Sequence, residues 1–368
     1  MNFSTEPTFV EQRRTFHALD AARGIAALIV VLHHLPIPFR GTFVGSGFLA
    51  VDLFFGLSGF VLAHAYLNRL VSGRLGVREF MVARLVRLYP LYLLSLLAIL
   101  ALSAGMYLAS IPLPWSAMAM AGKLPFAVLM LPSPTLDWHG YLYPFNIAAW
   151  SIFMELGVNL LFAIICRPIS RPQTRWVVIG ISGSVLFAQL LMQDVLGGAS
   201  WDLLAAGIPR VCFSFFLGIQ IHEWLKHRHH ASPIHTGWAM LSLGLLLVIL
   251  CAPDHLWIKL VAIFGIFPAL IMVLGSSDVP RGIVGTSLRK LGVLSYAIYM
   301  MHGPVLFAWL MLYLTPDVWT TKPALVAVPL IVCVVVVSWA TDRWLDTPIR
   351  AWAAQYLRNR KSTRKQLA

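Results

Sequence analysis

The chain of 368 residues is 59% hydrophobic and only 12% charged, whereas soluble domains are roughly half apolar and a quarter charged. This balance excludes a soluble fold. The net charge of +13 would favour a nucleic acid partner in a soluble protein, but in a membrane protein Lys and Arg collect in the cytosolic loops. Composition therefore predicts an all-α polytopic protein of the lipid bilayer that does not bind nucleic acid.

Apolar runs separated by proline, glycine and charged residues predict about ten transmembrane helices, because crossing a hydrocarbon core takes about 20 mainly apolar residues. The predicted spans are residues 19–37, 46–67, 86–108, 145–166, 174–194, 201–222, 236–252, 257–276, 290–314 and 323–345. The stretch from Pro112 to Pro134 is apolar but contains Pro114, Lys123 and Pro125. We interpret it as an interfacial or re-entrant segment.

Loops with many Lys and Arg residues alternate along the chain with loops that have few, and this alternation predicts the topology. The predicted outer segments hold only Arg40, Lys123, Lys259 and Lys322, so both termini are predicted to be cytosolic. Residues 1–18 have no apolar core or cleavage site typical of a secretory signal. The predicted organisation is a cytosolic segment 1–18, a transmembrane domain 19–350 and a basic cytosolic tail 351–368.

The first two spans carry ionisable residues, each of which costs roughly 2.5–3.5 kcal/mol at mid-bilayer. Arg23 and His34 lie eleven residues apart and share a helix face. At about 1.5 Å per residue, His34 and Asp52 reach similar depths on consecutive antiparallel helices. A carboxylate that holds one imidazole nitrogen leaves the other as a base, so His34 and Asp52 are the candidate catalytic pair. A hydrogen bond that only joins the two helices explains them equally well.

Two arginines, Arg84 and Arg87, lie one helical turn apart at the predicted cytosolic mouth of the third span. Guanidinium groups suit the phosphates of a large anionic donor such as coenzyme A. The alternative is ordinary anchoring at the membrane interface, together with Tyr89 and Tyr92.

Further polar residues lie deep in the predicted spans. Glu155 and Arg210 fall near mid-membrane and are predicted to form a buried ion pair. Ser295, Tyr299 and His302 follow i, i+4, i+7 spacing on one face of the ninth span. They could line a polar cavity within the bundle, with His302 in a supporting role.

No metal site is predicted. The histidines between His222 and His235 lie in a basic loop that fixes no coordination geometry. The four cysteines, Cys166, Cys212, Cys251 and Cys333, lack the paired spacing of a zinc or redox motif.

Five segments together resemble the membrane acyltransferase 3 family, whose members O-acetylate bacterial surface polysaccharides. These segments are LDAARGIAALIVVLHH, VDLFFGLSGF, RLVRLYP, WSIFMEL and SYAIYMMH. The family pattern places its histidine at His34 and its acid at Asp52. The sequence departs from the pattern at Asp346, where the family usually has a glutamate before proline, and at Gly56, where a larger aliphatic residue is common and which is expected to leave more room near Asp52. It also lacks the extracytoplasmic hydrolase-like domain of some members.

The resemblance implies a membrane-bound O-acyltransferase of the inner (plasma) membrane, without a permanently bound cofactor. Acyl-CoA, with acetyl-CoA as the expected form, would dock on Arg84 and Arg87 from the cytosol as a co-substrate. The acceptor would be a carbohydrate or a lipid-linked glycan, and polysaccharide-assembly proteins are candidate partners. His34 would act as base, oriented by Asp52, or would itself carry the acyl group.

The main rival hypothesis is a transporter or flippase, because intramembrane charges also mark translocation routes. The sequence contains no inverted repeat and no pair of broken helices of the kind common in transporters.

Overall fold

The structure is a computed structural model that describes residues 15–35, 43–113, 116–134, 140–227, 235–312 and 323–366. Most of the predicted N-terminal segment 1–18 lies outside the described residues, and so do His229 and His230 of the histidine-containing loop.

The described residues form an all-α bundle, and the only strand-like pairing among them is an isolated bridge between Tyr141 and Ser200. The helices are α1 (His17–His33), α2 (Gly47–Val71), α3 (Val77–Leu108), α4 (Ala117–Val128), α5 (Ala149–Ile164), α6 (Pro172–Gln193), α7 (Leu204–Lys226), α8 (Thr236–Cys251), α9 (Leu256–Gly275), α10 (Ile283–Leu312), α11 (Pro323–Thr341) and α12 (Thr347–Gln366).

Within the described ranges, 7 helices are long and apolar enough to cross a membrane, which supports a multi-pass membrane protein. They correspond to α2, α3, α6, α7, α9, α10 and the continuous stretch Leu325–Tyr356. Three further predicted spans coincide with α1, α5 and α8, which are 17, 16 and 16 residues long. Each predicted span thus contains a helix, whereas the number of crossings and the side on which the termini lie stay predictions.

Several helices extend beyond the predicted spans. Helix α3 begins at Val77 rather than near residue 86, and Pro90 lies inside it without ending it. Arg84 and Arg87 therefore lie within this helix and not at its beginning. The predicted tail is also helical, because α11 continues through a π-helical turn, Asp342–Asp346, into α12. Charged residues end an apolar run but do not end a helix, since Arg, Lys and Glu are good helix formers.

Glycines allow two helix pairs to touch at the backbone, as small residues commonly do in membranes. Between α1 and α10, a Cβ atom on Gly24 would lie 2.8 Å from the backbone carbon of Leu291, and one on Gly292 would lie 2.6 Å from that of Asp20. Between α2 and α7, a Cβ atom on Gly59 would overlap the backbone of Phe215. The first contact holds the helix that ends at His34 against the helix of His302.

Burial separates central helices from peripheral ones. In α2, 67% of the most apolar stretch is buried inside the protein, against 28% in α6 and 28% in the stretch Leu325–Tyr356. The polar residues singled out in the sequence lie mainly on the central helices, because a membrane helix turns its ionisable groups toward protein or water.

We expect Gly59→Ala to lower the melting temperature of the detergent-solubilised protein, because the new methyl group would meet backbone atoms that cannot rotate away. Overpacking of this kind costs about 1–3 kcal/mol. Gly244→Ala in α8 is the matched control, because a Cβ atom there has nothing within 4 Å. Equal melting temperatures for the two variants would contradict the close α2–α7 contact.

Candidate active site

A cavity of about 180 Å³ lies between α1, α2, α3, α5 and α10. One water molecule needs about 10–15 Å³, so the cavity can hold a cluster of waters or part of a ligand. Six of the residues predicted from the sequence line it: Arg23, Arg84, Arg87, Glu155, Ser295 and Tyr299. The sequence did not single out Ser58, Ser151 and Tyr296, which also line the cavity, because hydroxyl groups within apolar runs carry little signal of their own.

Glu155 is paired with Arg84. Its Oε1 atom accepts hydrogen bonds from Arg84 Nη2 at 2.8 Å and from Ser58 Oγ at 2.7 Å. The predicted ion pair between Glu155 and Arg210 is therefore wrong. Arg84 reaches the carboxylate because α3 is longer than predicted and packs along α5.

Arg87 belongs to a second group of charges at the same end of the cavity. Its Nη1 atom lies 3.6 Å from Asp346 Oδ2, and the same oxygen lies 2.8 Å from Arg350 Nη2. The guanidinium of Arg87 also lies over the ring of Tyr296, 5.1 Å from its centroid, at a distance typical of a cation–π contact. The Asp346 side chain is fully buried. In the sequence, the signal for this residue was its position before Thr347 and Pro348, where the family usually has a glutamate before proline.

Asp52 forms a buried, two-pronged ion pair with Arg210. Arg210 Nε donates to Asp52 Oδ1 at 2.8 Å, and Nη2 donates to Oδ2 at 2.7 Å. The guanidinium also donates to the backbone oxygens of Phe48 and Gly197. The prediction that Asp52 holds an imidazole nitrogen of His34 is therefore wrong, because the fork of donors on Arg210 takes both carboxylate oxygens.

The space expected beside Gly56 is also filled. A Cβ atom on Gly56 would lie 2.6 Å from Ile271 Cδ1 and 3.5 Å from Ser214 O. Helices α7 and α9 thus close in on the glycine, and the predicted extra room near Asp52 is wrong.

His34 instead lies against His302, with 4.9 Å between the ring centroids. His34 Nδ1 is 2.8 Å from Val30 O, and His302 Nδ1 is 2.7 Å from Tyr299 O. A carbonyl oxygen only accepts, so each Nδ1 carries a hydrogen, and Nε2 is the atom that carries the lone pair when the ring is neutral. The adjacent His33 has its Nδ1 atom 3.1 Å from Val44 O, and its ring lies edge-on to that of His34, with 5.9 Å between the centroids.

Tyr299 connects the cavity to the histidines. Its side chain lines the cavity, and its hydroxyl group is 2.6 Å from Ser151 Oγ. Its backbone oxygen holds His302, whose ring centroid lies 5.9 Å from that of Tyr299. Contacts therefore run from the cavity through Tyr299 and His302 to His34. Asn146, which sequence analysis missed, braces this region by donating to Met300 O and Ser95 Oγ.

The arrangement combines three chemical environments. Arg23, Arg84 and Arg87 form a cationic end, and Phe54 and Leu88 contribute apolar wall. Beyond the wall lie two imidazoles with basic Nε2 atoms. Across the described ranges, no group of three or more His, Cys, Asp or Glu residues has the arrangement of a metal site.

We expect Asp52→Asn to destabilise the protein by about 3–5 kcal/mol, because it leaves the Arg210 guanidinium buried without its counter-charge. The double variant Asp52→Asn/Arg210→Gln removes both charges and is expected to regain much of this loss. Thermal unfolding in detergent of the parent, both single variants and the double variant measures the coupling. A double variant no more stable than Asp52→Asn would contradict a strong ion pair.

Comparison with known proteins is consistent with these motifs. The acyltransferase 3 sequence profile, described as an acyltransferase domain, matches residues 16–343. Over 156 residues, the chain is 41% identical to "Protein 2 in picA locus" of Rhizobium radiobacter, and the alignment covers 40% of this chain and 81% of that protein. No solved structure is significantly similar. The profile includes the whole cavity and both histidines, and the chain therefore belongs to the acyltransferase 3 family.

Proposed function

We propose that this protein transfers an acyl group, in the first place acetyl, from acyl-CoA to a hydroxyl group of a cell-surface or exported carbohydrate. Family membership supports acyl transfer in general, whereas the donor, the acceptor and the roles of individual residues are proposals. These proposals rest on the cavity, which has arginines at one end. They also rest on the contacting rings of His302 and His34, which lie behind Tyr299 in the cavity wall.

The cationic end suits the phosphates of coenzyme A. The side chains of Arg23 and Arg87 are 28% and 35% exposed, so a ligand can reach them. Arg84 is more deeply buried and is held in place by Glu155. Planar guanidinium groups bind phosphate oxygens in pairs, and the apolar wall suits the rest of the donor. The Lys and Arg distribution favours a cytosolic position for this end.

His34 is the proposed general base. The hydrogen bond from Nδ1 to Val30 O, rather than Asp52, orients its ring, and Nε2 is the atom proposed to take the proton. As that proton leaves the acceptor hydroxyl, the oxygen attacks the thioester carbonyl, an ester forms and the C–S bond breaks. General base catalysis contributes typically 10²–10⁴ in rate. A route through an acyl-imidazole on His34 is the alternative, with the same net reaction.

The acceptor is proposed to be a carbohydrate or lipid-linked glycan that arrives from the outer half of the membrane. His34 is the C-cap residue of α1, so a bulky acceptor need not enter deeply between the helices. The inner membrane is the proposed location, and polysaccharide-assembly proteins are proposed partners.

Replacing His34 by asparagine is expected to lower ester-linked acetate on surface glycan by at least about 100-fold, because the Nε2 base is lost. Asparagine retains a donor for Val30 O. His33→Asn is the matched control, since His33 bonds Val44 O instead and is expected to keep transfer near the parent level. Mass spectrometry of glycans from cells with equal amounts of each protein gives the measurement. Unchanged acetylation in His34→Asn would refute the base, and glycan export without ester formation would favour a flippase.

Replacing Arg87 by glutamine is expected to weaken acetyl-CoA binding by about 10-fold or more, since a hydrogen bond to a charged group contributes about 1.5–3 kcal/mol. This variant keeps Asp346 paired, because Arg350 remains 2.8 Å away. Binding of acetyl-pantetheine, which lacks the nucleotide phosphates, should change little. Arg74→Gln, at an exposed arginine, is the control. If Arg87→Gln weakened the binding of acetyl-CoA and acetyl-pantetheine equally, Arg87 would have a structural role and would not bind the phosphates.

The contribution of Arg84 to donor binding is best measured in a double variant, because Arg84→Gln alone leaves the Glu155 carboxylate without its arginine partner. Arg84→Gln/Glu155→Gln removes both charges of the pair, so its effect on acetyl-CoA affinity reports binding more than folding.

A further inference from the structure

Neither His34 nor His302 is among the residues that line the cavity. A series of contacts through Tyr299 and His302 connects the cavity with His34. Tyr299 lines the cavity, and its backbone oxygen holds His302 at 2.7 Å. The ring of His302 contacts that of His34 at 4.9 Å between centroids. Along this series of contacts, His302 comes before His34.

His302 also has the protonation pattern of a proton carrier. It is 2% exposed, and its Nδ1–H donates to Tyr299 O. In the neutral ring the lone pair is thus on Nε2. A neutral imidazole can take up a proton at Nε2 and release it from the same atom.

We propose that His302 is a second catalytic imidazole, which relays the proton taken up by His34 to the departing thiolate of the acyl donor. This inference rests on the proposed function. In the step, the acceptor O–H bond breaks and its proton passes to His34 Nε2, while the acceptor oxygen forms the ester bond and the thiolate leaves with the C–S electron pair. The proton then moves from His34 through His302 to the sulfur and forms the thiol. Both rings return to the neutral state.

The site gives a reason for this relay. A thiolate released in an apolar interior is destabilised, because burial raises the pKa of a thiol. The nearby acids are already engaged: Asp52 is paired with Arg210, and Glu155 with Arg84. Among the residues that the structure describes, His33 bonds Val44 O and Tyr299 bonds Ser151 near the two rings. His302 contacts both the proposed base and Tyr299, whose side chain lines the cavity.

The test compares two acetyl donors of different leaving-group strength. Acetyl-CoA releases an alkyl thiolate, whereas the acetyl thioester of 4-nitrothiophenol releases an aryl thiolate that is stable without a proton. In purified protein with a soluble glycan acceptor, His302→Asn keeps a donor for Tyr299 O but lacks Nε2. We expect it to slow transfer from acetyl-CoA about 100-fold or more and transfer from the aryl thioester less than 10-fold. His34→Asn should be slowed with both donors, and His33→Asn with neither.

Melting temperatures of the variants give the folding control, because a misfolded variant loses activity with both donors. The relay would be overturned if a well-folded His302→Asn lost activity equally with both donors, or if it transferred from acetyl-CoA at the parent rate. It would also be overturned if the parent protein used the aryl thioester no faster than His34→Asn does. Full activity of His34→Asn would instead overturn the proposed base, so the two failures are distinguishable.

Discussion

The structure depends on the pairing of charges that lie inside the bundle. A carboxylate or guanidinium buried without a partner is costly, and breaking an existing buried pair is costlier still. Three buried acids have arginine partners: Asp52 with Arg210, Glu155 with Arg84, and Asp346 with Arg350 and more distantly Arg87. The pairs Asp52–Arg210, Glu155–Arg84 and Asp346–Arg87 join helices far apart in the chain.

Backbone contacts at glycines set the distances between the helices that carry these groups. Helix α1 approaches α10 at Gly24 and Gly292, and α2 approaches α7 at Gly59. A bulkier residue at any of these positions would move the helices apart and change which polar groups meet. Packing of small residues and pairing of charges thus support each other, since lipid supplies no hydrophobic force to bring helices together.

The site separates recognition from chemistry. Three arginines line the cavity, and Glu155 and Asp346 lie beside two of them. The imidazoles lie outside the cavity and contact it through Tyr299. A donor with phosphates at one end and a reactive thioester at the other fits this polarity. The acyl group would pass from the arginine side to the histidine side, where an acceptor can approach the end of α1.

By itself, the sequence determined the membrane class, the approximate position of each helix and the polar residues worth attention, because length and hydrophobicity act locally along the chain. It also carried the family motifs, including His34 and the two arginines of α3. It did not determine partners. The similar membrane depths of Asp52 and His34 predicted a contact between them, but depth does not determine the direction in which a side chain points from its helix. Only the tertiary structure decided that Asp52 meets Arg210, 158 residues away, and that His34 meets His302, because such contacts depend on how whole helices pack.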